Sequence, residues 1–308
     1  MVQTANGEVA AADLGFTLMH EHIFSLSPGL LTNWPHAFNR EAEMAYAAGK
    51  FAQAYADGVR TLVDLTTIDL GRDMGLIAEI AQRTRVQIVV ATGVHLKPPG
   101  FVNRRVPDRI TELFVRDIEQ GIGESGIRAG VIKIASGTVV DEQNIVHLRA
   151  AGRAHLATGV PISTHSEVST GTGATQQEIF AEEGVDLTKV VIGHSGDSTD
   201  LDYLGRILDR GSSLGMDRFG TGMGASTEER VATIAELCRR GYAGQMVLSH
   251  DTSCFSDTFP REIRESRLPD WEYTMIPMKV LPALHAAGVS HSDVLAMTTG
   301  NPRRLFGG

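Results

Sequence analysis

The stretch "AGVIKIASG", residues 129–137, has the composition of a strand that is buried on both faces. Apolar residues flank Lys133 on either side: Val131, Ile132, Ile134 and Ala135. Near-continuous apolar strands of this kind occur in parallel sheets whose two faces are covered by helices. A bare ammonium group at the centre of such a strand is costly. The stretch therefore predicts an α/β fold and an unusual environment for its lysine.

Similar short runs recur along the chain, and segments of helical period separate them. The other runs are "FTLMHEHIF" from residue 16, "TLVDLT" from 61, "VQIVVATG" from 86, "VPISTHS" from 160, "KVVIGHSG" from 189, "SSLGMDRFG" from 212 and "QMVLSHD" from 245. The clearest helical segments are 41–57, 108–120, 142–157, 227–240 and 277–287. About eight strand–helix units in succession predict a (β/α)8 TIM barrel. Extended loops are expected at 25–39, 97–105 and 254–270, just beyond strands.

Length and charge narrow the class of protein. The 308 residues contain no linker or low-complexity block, which predicts a single domain over residues 1–308. A formal net charge of −9 and the lack of a basic run argue against a nucleic-acid partner. Residues 1–15 do not resemble a secretory signal, and no apolar run is long enough to span a bilayer. We therefore expect a cytoplasmic protein that binds a small molecule and no membrane.

The histidine pair in "MHEHIF" is the first candidate for chemistry. His20 and His22 are two residues apart on a predicted strand, so their side chains face one side while Glu21 faces the other. Both imidazoles are then within reach of one metal ion. Taken alone, the pair fits an exposed or hydrogen-bonded role equally well.

The ends of later strands carry further candidates. His165 closes "VPISTH", His194 closes "KVVIGH", and Asp251 follows "QMVLSH". In a TIM barrel the carboxyl ends of all strands meet at the active-site face. Together with His20, His22 and Lys133, these groups predict a metal site there. Nitrogen and oxygen donors without thiolate suit zinc, cobalt, manganese or iron(II). The two cysteines, Cys238 and Cys254, lack the spacing of a structural zinc site.

Several motifs resemble those of the phosphotriesterase family, within the amidohydrolase superfamily. "GFTLMHEHI", residues 15–23, is similar to the family signature, and the resemblance continues in order through "STHS", "VIGHSGDSTD", "GMDRFG", "LSHD" and "NPRRLF". It implies a hydrolase with two divalent metal ions, zinc first among them, and a homodimer. The implied ligands of the first ion are His20, His22 and Asp251, those of the second are His165 and His194, and a carbamylated Lys133 bridges the two. A carbamate carries a negative charge and two oxygens, so it joins two cations where an ammonium group would be repelled.

The resemblance also implies roles around the metals. Asp251 would accept a proton from the attacking water, and Asp197 and Arg218 align with positions that carry protons away or anchor the substrate. A structural ion pair at the barrel rim explains these last two residues nearly as well. Phosphotriesterases proper have a histidine at the position of Arg218 and a longer loop after it, so the short "GMDRFGTGMGASTEER" resembles the lactonase branch. The segment 250–273 resembles the lactonase lid, in which Phe255, Phe259 and Trp271 would line an acyl channel.

One position departs from the lactonase pattern. His95, in "ATGVHLKPPG", stands where lactonases have a tyrosine. It is a candidate hydrogen-bond donor to the leaving group, while Lys97, Arg104 and Arg105 would suit an anionic substrate instead. The leading hypothesis is a hydrolase of lactones, acyl-homoserine lactones or similar neutral esters, with side activity on organophosphate triesters. A phosphotriesterase or carboxylesterase and a non-catalytic binding protein are the alternatives.

Overall fold

Eight parallel strands form one curled sheet in the computed structural model, which describes residues 1–103 and 105–307. Strands that are consecutive in the chain are neighbours in the sheet. The strands are β1 (Phe16–Glu21), β2 (Val59–Asp64), β3 (Gln87–Gly93), β4 (Val131–Ala135), β5 (Ile162–His165), β6 (Val190–Ile192), β7 (Ser213–Met216) and β8 (Met246–Leu248). The predicted (β/α)8 TIM barrel is confirmed.

Helices alternate with the strands. They are α1 (Arg40–Ala56), α2 (Met74–Arg83), α3 (Pro107–Glu119), α4 (Glu142–Thr158), α5 (Thr172–Glu182), α6 (Leu201–Asp209), α7 (Thr227–Arg239) and α8 (Leu281–Ala286), which continues from a π-helical turn at Ile276–Val280. Asp141 and Ser226 begin α4 and α7 with capping boxes, which satisfy amide groups that a helix leaves free at its start. The five predicted helices are confirmed. No helix among the described residues is long and apolar enough to cross a membrane.

Smaller elements surround the barrel. The short strands are Val2–Thr4, Gly7–Val9, Phe24–Ser25 and Phe255–Ser256, and the short α-helices are Leu30–Asn33, Gly100–Asn103, Arg261–Arg267, His291–Leu295 and Asn301–Leu305. Single helical turns lie at Ala11–Asp13, Pro35–Ala37, Ile68–Leu70, Val168–Thr170, Leu187–Lys189, Ser195–Asp197, Ala243–Gln245 and Ala296–Gly300. The three segments predicted as extended loops therefore contain short helices. Tertiary contacts explain two of these, because Val102 packs in the hydrophobic core and the buried Arg264 donates to Tyr46 Oη at 3.2 Å.

The core has two layers. One lies between the strands and the helices, and the other fills the inside of the barrel. The strand residues of the inner layer are Met19, Val63, Val89, Ala91, Val131, Val191 and Val247. Lys133 follows Val131 by two residues on β4, so both side chains face the barrel interior. The lysine thus lies above the apolar inner layer, toward the carboxyl ends of the strands.

The barrel closes between β8 and β1 through bonds beyond the end of β8. The Asp251 amide donates to the His20 carbonyl at 3.0 Å, and the His22 amide donates to the Thr252 carbonyl at 2.9 Å. The His20 amide also donates to Ser249 Oγ at 2.7 Å. Residues 249–252 are therefore held beside the end of β1, which brings Asp251 next to the histidine pair.

Candidate metal centre

His20, His22 and Asp251 converge at the carboxyl end of the barrel. Asp251 Oδ1 lies 3.4 Å from His20 Nε2 and 3.3 Å from His22 Nε2. Ligands about 2.0–2.1 Å from a zinc ion at the corners of a tetrahedron are about 3.4 Å apart. The three atoms therefore have the spacing of ligands of one ion.

Lys133, His165 and His194 complete the cluster. Lys133 Nζ lies 3.1 Å from His20 Nε2, and His194 Nε2 lies 2.7 Å from His165 Nδ1. Burial lowers the pKa of Lys133 to about 8, against the attraction of Asp251. The neutral amine, which is the form that reacts with CO2, is therefore accessible near neutral pH.

Hydrogen bonds at the Nδ1 atoms of three imidazoles determine which nitrogen faces the cluster. The Nδ1 atoms of His20 and His194 lie 3.0 Å from the two carboxylate oxygens of Asp217. His22 Nδ1 lies 2.9 Å from Thr66 Oγ1, whose own hydrogen is donated to Asp64. Each Nδ1 is therefore a donor, and each Nε2 keeps its lone pair for the cluster. This donor set fits divalent metal ions.

Asp217 was not among the residues predicted from the sequence. It is fully buried, and besides the two imidazoles it accepts the His194 amide at 3.1 Å. Both carboxylate oxygens of Asp217 thus accept from N–H donors, although they lie within metal-binding distance of His20 and His194. Asp217 therefore orients the two histidines and leaves their other nitrogens free for a metal ion. Burial alone would raise the pKa of Asp217, but the neighbouring imidazoles of His194 and His20 hold it well below the usual range. Its place directly after β7, in "GMDRFG", is the signal that marks it.

Backbone strain is concentrated at the same place. Among the described residues, the non-glycine positions with positive φ are His194 at 62°, Arg218 at 62° and Asp251 at 56°. Such conformations cost of order 1–3 kcal/mol each and persist where surrounding contacts hold them. All three were predicted site residues, and each lies beyond the end of its strand.

Arg218 connects Asp251 to Asp197. Its Nε donates to Asp251 Oδ2 at 3.1 Å, and its Nη1 donates to Asp197 Oδ2 at 2.7 Å. Asp197 also pairs with the fully buried Arg230. Burial alone would raise the pKa of Asp251, but the His20 imidazole and its other neighbours, Arg218 among them, hold it well below the usual range. Asp251 therefore faces the cluster as a carboxylate.

His95 lies at the edge of the cluster. Its Nε2 is 3.3 Å from His165 Nδ1, and its backbone amide donates to both oxygens of the Asp69 carboxylate, at 2.8 and 3.0 Å. Burial and the nearby Lys133 lower the pKa of His95 to about 2, so its imidazole is neutral. Of the basic residues predicted nearby, Lys97 is exposed and Arg105 stacks on Phe101 at 4.3 Å, while Arg104 lies outside the described residues.

The predicted lid forms a cavity of about 370 Å³ against the segment that contains Leu30 and Ala37. Phe255 and Phe259 line it, but so do the ion-paired side chains of Glu43 and Arg261. Trp271 packs 5.9 Å from Phe259, and its Nε1 donates to the His250 carbonyl at 2.8 Å. The indole is therefore fixed on the loop that carries Asp251, and the cavity is more polar than the predicted acyl channel.

A sequence model of the phosphotriesterase family matches residues 1–306. The chain belongs to the phosphotriesterase family. This is a family of metal-dependent hydrolases with two metal ions, and the cluster described above contains a candidate His/Asp metal site.

Relatives within the phosphotriesterase family have different names. The chain is 44% identical to a phosphotriesterase homology protein of Mycobacterium tuberculosis, over 99% of this chain and 97% of that protein. It is 36% identical to an aryldialkylphosphatase of Saccharolobus solfataricus, over 97% and 96% of the two chains. A phospho-furanose lactonase of Mycoplasmopsis agalactiae is 27% identical over 67% of this chain and 63% of its own. The solved structure of the phosphotriesterase from Mycobacterium tuberculosis superimposes with a TM-score of 0.96 at 43% identity, covering 99% of this chain and 98% of that one.

Proposed function

We propose that this member of the phosphotriesterase family hydrolyses lactones, either acyl-homoserine lactones or similar neutral esters, with weaker activity on organophosphate triesters. The observation that carries the proposal is the arginine after β7. Arg218 donates to Asp251 at 3.1 Å, in a short loop of the kind that resembles the lactonase branch. A relative named as a phospho-furanose lactonase gives separate support.

We further propose that the cluster holds two divalent ions. His20, His22 and Asp251 would bind one, and His165 and His194 would bind the other. Lys133, as a carbamate, would bridge them. Zinc suits the imidazole and carboxylate donors best, while cobalt, manganese and iron are alternatives. The inward-facing Nε2 atoms and the depressed pKa of Lys133 support this assignment.

Each of these residues then has a separate role in the proposed reaction. When bound, two divalent ions would activate a water and polarise the carbonyl oxygen of the substrate. Asp251 accepts the proton of the water, and Arg218, which donates to Asp251 Oδ2 at 3.1 Å, holds its carboxylate in place. As the ring C–O bond breaks, the departing alkoxide takes up a proton, so the product is a hydroxy acid. His95, which is neutral and lies 3.3 Å from His165, would donate a hydrogen bond to that oxygen.

A substrate panel tests the proposal. Metal-replete protein is assayed on lactones of varied ring and chain, on aryl carboxylic esters and on paraoxon. The expected result is a kcat/KM at least about tenfold higher for the best lactone than for paraoxon, because the arginine and short loop resemble those of lactonases. A kcat/KM that is about tenfold higher for paraoxon than for the best lactone would refute the lactone assignment, but it would not affect the proposed metal centre.

The second candidate is a phosphotriesterase or carboxylesterase with little activity on lactones. The aryldialkylphosphatase relative, at 36% identity, favours it, as does His95 in the place of the lactonase tyrosine. The same panel separates the two, since each predicts a different best substrate.

A further inference from the structure

Glu21 is a buried carboxylate that the proposed reaction does not use. It lies between the two histidines of the pair and is fully buried. Among the described residues no lysine or arginine forms a salt bridge with it, and its one basic partner is the imidazole of His250, at 2.6 Å. Burying a carboxylate without a full cation is costly unless several hydrogen bonds replace water. The groups that donate hydrogen bonds to Glu21 therefore indicate which part of the chain it holds in position.

All of these partners come from one short segment, residues 249–252. Glu21 Oε1 accepts from Ser249 Oγ at 3.0 Å, and from the amide and Nδ1 of His250 at 2.8 and 2.6 Å. Glu21 Oε2 accepts from the Thr252 amide at 3.0 Å. The amides immediately before and after Asp251 are thus bound to the two oxygens of a single carboxylate.

The His250 imidazole has a fixed tautomer. The Ile276 amide donates to His250 Nε2 at 3.0 Å, so this nitrogen is an acceptor. The ring hydrogen is then on Nδ1 and is donated to Glu21. Through this neutral ring, the carboxylate of Glu21 is linked to the π-helical turn at Ile276–Val280 that leads into α8.

We propose that Glu21 is a positioning residue for Asp251, which rests on the proposed role of Asp251 as a metal ligand. By binding the amides on both sides, Glu21 holds Asp251 at a φ of 56°, a conformation that few residues adopt unaided. That conformation sets Oδ1 at 3.3–3.4 Å from the Nε2 atoms of His20 and His22. The histidine pair and its aspartate, which are distant in sequence, thereby depend on the residue between the two histidines.

The replacement Glu21→Gln tests this with little change in volume. Glutamine keeps one oxygen, which retains the three donors at Oε1, and places an NH2 group against the Thr252 amide, where two donors oppose each other. Glu21→Gln therefore removes the hydrogen bond from the amide directly after Asp251. Glu183→Gln is the matched control, because Glu183 is a mostly buried glutamate that pairs with Arg149 and Arg153 away from the cluster. Glu21→Asp is the second variant, which keeps the charge but withdraws the carboxylate, and it carries the test if Glu21→Gln does not fold.

The measurements are cobalt and zinc binding by chelator competition, the visible spectrum of the cobalt-loaded protein, the unfolding midpoint of metal-free protein, and kcat and KM. We expect the ion assigned to His20, His22 and Asp251 to bind about 10- to 100-fold more weakly in Glu21→Gln. The spectrum of the cobalt-loaded protein should change as well. We expect kcat to fall while KM changes by less than about threefold. The control should match the wild type in metal binding, cobalt spectrum, kcat and KM, although its unfolding midpoint should fall because it loses the charged partner of Arg149 and Arg153.

Two outcomes would overturn the inference. If Glu21→Gln binds both ions with wild-type affinity and spectrum, Glu21 serves only the fold, even if the metal-free protein is less stable. If the wild type itself binds no metal, both the proposed centre and this inference fail, and the wild-type titration alone reveals that case.

Discussion

Replacing Asp217 with asparagine should weaken binding of one metal ion and leave the fold intact. Asp217 Oδ2 accepts from His20 Nδ1 at 3.0 Å and from the His194 amide at 3.1 Å, while Oδ1 accepts from His194 Nδ1 at 3.0 Å. Asparagine has the same shape but only one acceptor oxygen. If the asparagine oxygen takes the place of Oδ2, two of the three hydrogen bonds are kept. We therefore expect the asparagine side chain to adopt this orientation.

The amide NH2 then faces His194 Nδ1, which also carries a hydrogen. His194 relieves this opposition by moving its hydrogen to Nε2, the nitrogen that lies 2.7 Å from His165 Nδ1. That nitrogen no longer offers a lone pair to an ion. A hydrogen bond to a charged acceptor is worth about 1.5–3 kcal/mol, and tenfold in affinity is 1.4 kcal/mol, so the expected loss is about 10- to 100-fold. It should fall on the ion assigned to His165 and His194.

The assay is an equilibrium zinc titration against a coloured chelator, with ions per chain measured at each free zinc concentration. Asp117→Asn is the control, because the Asp117 carboxylate binds Arg72 and Thr92 and touches no imidazole of the cluster. Circular dichroism of the metal-free proteins checks that both variants fold. If Asp217→Asn retains both ions within about twofold of wild-type affinity, the argument from the histidine tautomers is wrong.

Two further predictions concern Lys133 and His95. Lys133→Ala should lower kcat/KM by about 100-fold or more, because the proposed bridge is lost, and added acetate or propionate should restore part of it. An unmodified amine at Lys133 in a crystal structure of the fully metallated, active wild-type protein would refute the carbamate. His95→Phe should lower kcat/KM for a lactone about tenfold more than for an aryl ester whose leaving group needs no proton, and equal losses on both substrates would show that His95 does not assist the leaving group.

The barrel was predictable because its strands are buried on both faces. Such strands leave long apolar runs, as around Lys133, and the helices between them leave a clear 3.6-residue period. The short helix Arg261–Arg267 was not predictable in the same way. Tertiary contacts hold it on α1, where Arg261 pairs with Glu43 and Tyr46 Oη donates to Glu265 at 2.8 Å. Its sequence alone is charged and resembles a loop.

The residues of the cluster were also predictable only in part. Its predicted ligands lie at strand ends, and a barrel brings all strand ends to one rim, so sequence position was enough to group them. Asp217 was missed because its role depends on facing His20, 197 positions away in the chain. The sequence predicted that Glu21 faces away from the histidine pair, but its partners at 249–252 follow only from the closure of the barrel between β8 and β1.

The surroundings of Asp251 bear on which substrate suits the site. Its Oδ2 contacts the Arg218 guanidinium, which stays protonated at any physiological pH and therefore cannot take a proton from Asp251. Asp197, beyond it, is already paired with both Arg218 and Arg230. A proton that Asp251 accepts from water therefore has no outlet along this chain of residues and must pass to the substrate or to solvent. In the proposed ring opening, the departing oxygen is a basic alkoxide that stays in the product and takes up a proton, whereas an aryl leaving group departs as a weak base. On the proposed mechanism, a lactone therefore returns the proton of Asp251 to its own alkoxide, while an aryl ester or triester returns it to solvent.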